Sequence, residues 1–221
     1  MTIQEAYISF LTKVNRNLKS NNVSADKARF VLLYNEEQIR RVDYILDNKN
    51  NDEIREIQEF LVSKSLSGIA TDQDRYTADL PNDFLDLSSA YCLATTESCG
   101  KDRVSLNEIK DFDREEFVGD NNNKPSWEYR EAPFYVGNNK INIFFEDFQV
   151  TDVYLSYYKY PTPVDIAGYI KDDGSASADQ NPQGSERFIN KVINMCAESF
   201  ARNYADTNSI TINKDRIITN T

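Results

Sequence analysis

Clusters of carboxylates are the side chains of this sequence with the clearest potential for chemistry. Asp111, Asp113, Glu115 and Glu116 lie close together in the chain. Paired carboxylates do acid–base work only where their environments separate their pKa values, and nothing in the flanking sequence indicates a cleft. A solvated turn is therefore the favoured interpretation, and a catalytic pair is the weaker one.

A second group of oxygen-bearing side chains could ligate calcium. It consists of Asp172, Asp173, Ser175, Ser177 and Asp179. An EF-hand combines the spacing D-x-D-x-D-G with a distal glutamate, and that combination is absent. The segment is interpreted as a plain loop, so no metal site is expected.

The residues that most other catalytic mechanisms require are absent from the sequence. The chain has no histidine, which removes the Ser-His-Asp and Cys-His arrangements and the usual general base near neutral pH. Gly100-Lys101 is followed by Asp102 where a phosphate-binding loop needs Ser or Thr. We expect no enzyme activity and no cofactor. Trp127, the single tryptophan, is interpreted as core or interface packing rather than ligand stacking.

The three cysteines, Cys92, Cys99 and Cys196, form no CxxC pair. Reduced thiols in a cytoplasmic setting are favoured over a disulfide framework. Cys196 falls on an apolar helical stripe, where packing is expected. Residues 1–20 lack the pattern of a signal peptide, and no apolar run approaches the ~20 residues of a membrane span. We expect a soluble protein made in a cytoplasm.

The formal net charge of −11 argues against a grip on nucleic acid, because proteins hold DNA chiefly through Lys and Arg at its phosphates. A simply solvated acidic surface is the favoured interpretation. The alternative is a surface past which DNA moves without specific binding.

Apolar residues at spacings of three and four predict four helices. These cover residues 2–18, 24–46, 52–64 and 185–204. Thr2 and Glu5 are placed to form a capping box at the start of the first helix. Because each helix shows an apolar face, the helices at the two ends of the chain are expected to pack together.

The middle of the chain has the alternation of β-strands. Leu80-Pro81-Asn82-Asp83-Phe84 predicts a rigid corner, since proline restricts its own φ and the residue before it. Gly137-Asn138-Asn139 between two apolar runs predicts a hairpin. Residues 153–160 alternate and end before Pro161.

These elements predict an α+β fold: a helical bundle formed by the N- and C-terminal helices, with an inserted antiparallel β-rich region. The expected divisions are a helical body over 1–65 and 185–204, and the β-rich insertion over 66–163. A flexible loop over 164–184 and a C-terminal tail over 205–221 complete the chain.

Tyrosines give the β region a candidate interface. The β region has more tyrosine side chains than one sheet face needs, and tyrosine is enriched at protein interfaces. The tyrosines concerned are Tyr154, Tyr158, Tyr160 and Tyr135. A subunit contact through Tyr154 and Tyr158 and an ordinary half-buried sheet are equally compatible with the pattern.

The layout resembles that of the tail-adaptor, or head–tail connector ring, proteins of short-tailed phages. The resemblance covers roughly residues 75–205. It is carried by the corner with Leu80, Pro81, Asp83 and Phe84, by Pro133-Phe134-Tyr135, by the strand 153–158 closed by Pro161, and by the terminal helix 185–204. The asparagine-, lysine- and glutamate-rich composition is similar to that of crAss-like phages.

The resemblance implies a structural virion protein without a catalytic site, assembled in the host cytoplasm. Its members form a twelve-fold ring in the neck, which docks on the portal protein, continues the DNA channel and seats the downstream tail proteins. A capsid decoration module is the alternative binding protein, and a tail-associated polysaccharide-degrading enzyme is the less favoured catalytic alternative.

The tail over 205–221 is the second candidate contact. Ile210 and Ile212 alternate with polar residues, as in a strand added to a partner's sheet, and Ile217 and Ile218 supply another apolar anchor. We expect this segment to leave the body and bind a neighbouring subunit or the portal. A frayed terminus is the alternative.

Overall fold

The computed structural model describes residues 1–18, 25–72, 74–96, 100–110 and 124–218. The chain forms two compact units. The first, here called the helical unit, comprises Met1–Phe60 and Pro161–Thr221, and the second, the β unit, comprises Leu61–Tyr160.

The described residues of the helical unit form four α-helices. They are α1 (Ile3–Leu18), α2 (Lys27–Asn48), α3 (Asn51–Ile54) and α4 (Glu186–Ile218), and a 3₁₀ helix over Arg55–Phe60 follows α3. The predicted third helix over 52–64 is wrong in its second half, because residues from Leu61 onward form a strand.

Side-chain caps define where these helices begin. The predicted capping box is confirmed: the Thr2 N–H donates to Glu5 at 2.8 Å, and the Glu5 N–H donates to the Thr2 hydroxyl at 3.2 Å. Asp26 accepts from the Arg29 N–H at 2.6 Å at the start of α2. Each cap satisfies a backbone donor that the first helical turn leaves without a partner.

Aromatic rings fill the core between α1, α2 and α4. The Phe10 ring lies 5.0 Å from that of Phe30 and 5.7 Å from that of Phe200, measured between centroids. Phe200 is 3% exposed, and Cys196 lies fully buried on the same stripe of α4. The expected packing of the terminal helix against the second helix is confirmed.

A buried carboxylate, Glu56, collects three cations in the helical unit. Glu56 is 4% exposed. Its oxygens lie 2.8 Å from Lys191 Nζ, 2.9 Å from Arg187 Nε and 3.3 Å from Arg41 Nη2. Arg41 also reaches Glu53 at 2.8 Å. A buried charge is tolerated only when it is paired in this way.

The β unit is built on one eight-stranded sheet. The strands are β1 (Leu61–Leu66), β2 (Gly68–Asp72), β3 (Arg75–Asp79), β4 (Phe84–Thr95), β5 (Asp102–Glu108), β6 (Glu131–Gly137), β7 (Lys140–Phe144) and β8 (Gln149–Lys159). Their order is β1-β8-β4-β5-β6-β7-β3-β2. All neighbours are antiparallel except β5 and β6, which are parallel.

The sheet is strongly curled, and its connectivity requires this. Strands β1 and β2 occupy opposite ends of the sheet order, yet only Ser67 separates them in the chain. One residue spans at most about 3.6 Å, so the two outer strands must meet where Leu66 ends and Gly68 begins. A Cβ added to Gly68 would lie 2.3 Å from the Thr77 carbonyl oxygen, so only glycine fits there.

The inner face of the curl carries the apolar core of the β unit. The core cluster includes Cys92, Val104, Phe134, Ile141, Ile143, Val153 and Leu155, and on β8 Val153, Leu155 and Tyr157 alternate with residues of the other face. On β1, Lys64 pairs in register with Leu155. Residues directly opposite each other lie on the same face, so Lys64 is a charge on the apolar side of an outer strand.

Two turns predicted from the sequence are confirmed in the β unit. Asn138 and Asn139 have φ of 52° and 60°, which is the type I′ geometry that joins β6 to β7. At the corner, Asp83 accepts from the Tyr157 hydroxyl at 2.9 Å, and its carbonyl accepts from the Tyr160 N–H at 2.9 Å. Burial and Asp83 raise the pKa of Tyr157 to about 12, so the phenol remains a donor.

The predicted fold class is wrong. The β region is a curled, mixed β-sheet domain with its own core, not an antiparallel insertion in a helical bundle. Alternation reveals single strands, but it carries no information on which strands pair or in which direction. The predicted helical bundle therefore followed from the amphipathic patterns at the two ends of the chain.

Candidate partner-binding groove

A groove on the helical unit is formed by residues that lie far apart in the chain. Its volume is about 710 Å³. One wall is the first part of α2, and the other is the segment 169–172. The lining residues are Asp26, Ala28, Arg29, Val31, Leu32, Asn35, Tyr169, Ile170, Lys171 and Asp172.

Polar contacts hold the second wall against α2. Lys27 Nζ donates to the Ala167 carbonyl at 2.6 Å. Asn35 donates to the Val164 carbonyl at 3.1 Å and accepts from the Val164 N–H at 2.7 Å. The side-chain amide of Asn35 therefore pairs with both backbone polar groups of Val164. This pairing fixes the chain where the second wall begins.

Asp165 organises the wall internally. Its carboxylate accepts from Tyr169 Oη at 2.8 Å and from the Ala178 N–H at 3.1 Å, and it pairs with Lys171 Nζ at 2.8 Å. Burial opposes ionisation of Asp165, but the bonds from Lys171, Ala178 and Tyr169 outweigh it and lower its pKa to about 2. The segment predicted as a flexible loop thus contains a carboxylate that ties its two sides together, next to the isolated bridges Asp165–Gln180 and Ile170–Ala176.

Apolar side chains stand exposed at the groove. Leu32 is 68% exposed and Ile170 is 75% exposed. The lining also brings two carboxylates, Asp26 and Asp172, together with two cations, Arg29 and Lys171. Neighbouring exposed apolar residues with a polar rim mark a surface for another macromolecule.

Two of the carboxylates considered as calcium ligands, Asp173 and Asp179, have hydrogen-bond partners within the protein. Within the described part of the chain no group of acids and cysteines is arranged to hold a metal ion. Asp173 accepts from the Ser175 N–H and hydroxyl, and Asp179 accepts from the Ala167 N–H, so these carboxylates are engaged in the loop itself. The acidic cluster at residues 111–116 lies outside the described residues.

The described cysteines are inert positions. Cys92 and Cys196 are buried and unpaired by disulfides. Burial raises the pKa of the Cys92 thiol to about 12 and raises that of Cys196 as well. A thiol held protonated is a poor nucleophile. Cys99 lies outside the described residues.

The predicted tyrosine pair is divided by the structure. Tyr154 stacks on Tyr91 at 4.8 Å with an interplanar angle of 6°, and Arg103 lies 4.0 Å above Tyr91. Tyr158 is only 8% exposed, and burial raises its pKa, with Asp86 adding to the effect. Tyr154 is therefore half-buried, and Tyr158 presents almost no surface to a partner.

The four predicted isoleucines lie in the last part of α4, which is helical to Ile218. The expected added strand is wrong for this reason. Whether these residues bind a partner stays a prediction.

Sequence analysis missed the groove itself. Its walls come from α2 and from a polar segment more than a hundred residues later, so no local pattern links them. The one available signal was Ile170, a lone apolar residue directly before Lys171-Asp172-Asp173-Gly174. Leu32 falls at helical spacing with other apolar residues of α2, so the sequence gives no sign of its exposure.

No protein-family model matches the chain, and no curated protein matches its sequence. None of the described helices is both long enough and apolar enough to cross a membrane.

Proposed function

We propose that this protein is a structural virion protein, a subunit of a ring in the neck of a tailed phage. The ring docks on the portal, continues the DNA channel and seats the tail. The groove beside α2 carries this proposal, because it is a formed surface with exposed Leu32 and Ile170 and no reactive group poised in it.

Ring formation requires two different surfaces on each subunit. A head-to-tail contact closes into a ring when its rotation closes. The groove is one candidate surface, and the C-terminal segment 205–221, a candidate contact from the sequence, is a second. A self-complementary patch would instead favour a two-fold dimer.

The charge of the β unit supports a conduit role. Residues 61–160 contain 18 acidic and 10 basic side chains, a formal charge of −8. Duplex DNA is repelled by such a surface rather than held. A wall of this sign would let the genome pass without trapping it.

The test is the mass and shape of the purified full-length protein, alone and with portal-bearing heads. Native mass spectrometry should give one closed oligomer, and electron microscopy should show it at the single portal vertex. Binding across the whole capsid would instead show a decoration protein. A monomer that neither assembles nor binds heads would refute the proposal.

A further inference from the structure

We propose that Asp173-Gly174 is a site of spontaneous isoaspartate formation, and that Ser175 suppresses this modification in the folded protein. The reaction moves the main chain from the α-carboxyl group of an aspartate to its side-chain carboxyl group. The turn that carries residues 171–175 lies in the helical unit, and its chemistry does not depend on the proposed neck ring.

The sequence contains one bond of the kind that isomerises most readily. Of the seven glycines, Gly174 alone follows an aspartate, and none follows an asparagine. A glycine leaves the approach to its amide nitrogen open, because it has no side chain and its main chain rotates freely. A residue with a β-carbon hinders the same approach. Asp173 is therefore the aspartate of this chain at which the reaction is expected first.

The reaction is intramolecular and needs only water. The main-chain nitrogen of Gly174 attacks Cγ of a protonated Asp173 carboxyl group, and the new C–N bond closes a succinimide ring. The carboxyl hydroxyl leaves with the amide proton as water. Water then opens the ring at the former main-chain carbonyl, so that the main chain continues through Cγ. Because both groups belong to one chain, the effective concentration of the nucleophile is high.

The turn leaves the reacting bond accessible. Asp173 and Gly174 are both exposed. Gly174 has a φ of 82°, and a Cβ built on it would have no other atom within 4 Å. Water and the planar ring of the intermediate therefore have room at this bond.

Ser175 opposes the reaction in the folded state. Asp173 Oδ1 accepts from the Ser175 hydroxyl at 2.6 Å and from the Ser175 N–H at 2.8 Å. These bonds lower the pKa of Asp173, so they deplete the neutral carboxyl form that reacts. The Gly174 N–H donates to the Lys171 carbonyl at 2.9 Å, and the Lys171 N–H donates to the Ser175 carbonyl at 2.9 Å. Both main-chain bonds restrict the rotation that brings the Gly174 nitrogen to Cγ.

The test measures isoaspartate in the full-length protein after incubation at neutral pH. Electron-transfer mass spectrometry of the digested protein locates isoaspartate, which has an unchanged mass but distinct main-chain fragments. The native protein should accumulate it at Asp173 more slowly than the chain unfolded in guanidinium chloride. Ser175→Ala should raise the rate in the folded protein about fivefold, the factor that corresponds to one typical net hydrogen bond. Ser65→Ala, at an exposed serine of β1, should leave the rate unchanged.

The results can overturn the site and the role of Ser175 separately. Absence of isoaspartate at Asp173 in the unfolded chain would overturn the site. Equal rates for the native protein and Ser175→Ala, with equal thermal unfolding midpoints, would overturn the protective role. Gly174→Ala should slow the reaction in the unfolded chain, where the turn is absent and only the added β-carbon differs. An unchanged rate in that variant would contradict attack by the Gly174 nitrogen.

Discussion

The two units of this molecule handle charge differently. The helical unit has 18 acidic and 15 basic residues, and the β unit has 18 and 10. Every buried charged side chain among the described residues lies in the helical unit: Glu37, Arg41 and Glu56. In the β unit the buried polar side chains are the neutral Thr77 and Asn142.

The difference shows that the two units are specified by different forces. In the helical unit, burial of Glu56 and Arg41 makes correct packing depend on matched ions. In the β unit, the core is apolar and the acidic excess is left to solvent. Stability of the helical unit should therefore respond to loss of a charge, whereas the β unit should respond mainly to loss of volume.

The largest expected effect is the removal of core volume. Phe200→Ala in the helical unit should lower the free energy of unfolding by about 3–5 kcal/mol, because the cavity would remain between Phe10 and its neighbours. Phe134→Ala in the β unit, at 2% exposure, should cost a similar amount. Urea denaturation measures both. A loss below about 1 kcal/mol would contradict the assigned cores.

Loss of the buried carboxylate comes next. Glu56→Ala should cost about 3 kcal/mol, since it leaves Arg41 buried with Glu53 as its remaining carboxylate. The matched control in the β unit is Asp152→Ala, which breaks an exposed pair with Lys101 and should cost under about 1 kcal/mol. Equal losses of unfolding free energy for the two variants, measured by urea denaturation, would contradict the inferred difference between the units.

The bonds made by the Asp165 carboxylate should make the stability of the helical unit sensitive to acid. Its folded-state pKa is about 2, below the unfolded value near 3.9. The stability it contributes is therefore present above pH ~4 and lost as pH falls toward 2. Asp165→Asn should cost about 1–2 kcal/mol at neutral pH and flatten this dependence. Unfolding midpoints measured from pH 2 to 6 test it, with Asp47→Asn, an exposed aspartate of α2, as the control.

The smallest effect concerns the stacked pair on the sheet surface. Tyr154→Leu removes the stack on Tyr91 while keeping much of the apolar area, so it should cost about 0.5–1 kcal/mol. Thermal unfolding is the measurement. If the same variant also abolished assembly, Tyr154 would be a subunit contact in addition to a packing residue.

Local chemistry was the part of the fold that the sequence revealed. Features whose residues lie close together in the chain can be predicted from local patterns. They are the capping box of Thr2 and Glu5, the turn at Asn138 and Asn139, and the corner at Pro81. The third helix failed because Ile57, Phe60 and Leu61 keep helical spacing although Leu61 already pairs with Tyr158 in the sheet. Strand pairing overrode the local pattern there.

The candidate site was predictable only in fragments. The isoleucines of the C-terminal segment were visible, but their alternation was read as a strand, and α4 extends through them. The groove requires Asn35 to meet Val164 and Lys27 to meet Ala167. Such pairings over more than a hundred residues leave no trace in one sequence.

Lys64 has a consequence for the protein before it assembles. An outer strand exposes unpaired backbone groups, and a flat apolar one would recruit strands from other chains into aggregates. The ammonium of Lys64, set on the apolar side of β1 opposite Leu155, would be buried by any strand that added there. A charge at this position therefore opposes pairing of β1 with a strand from another chain.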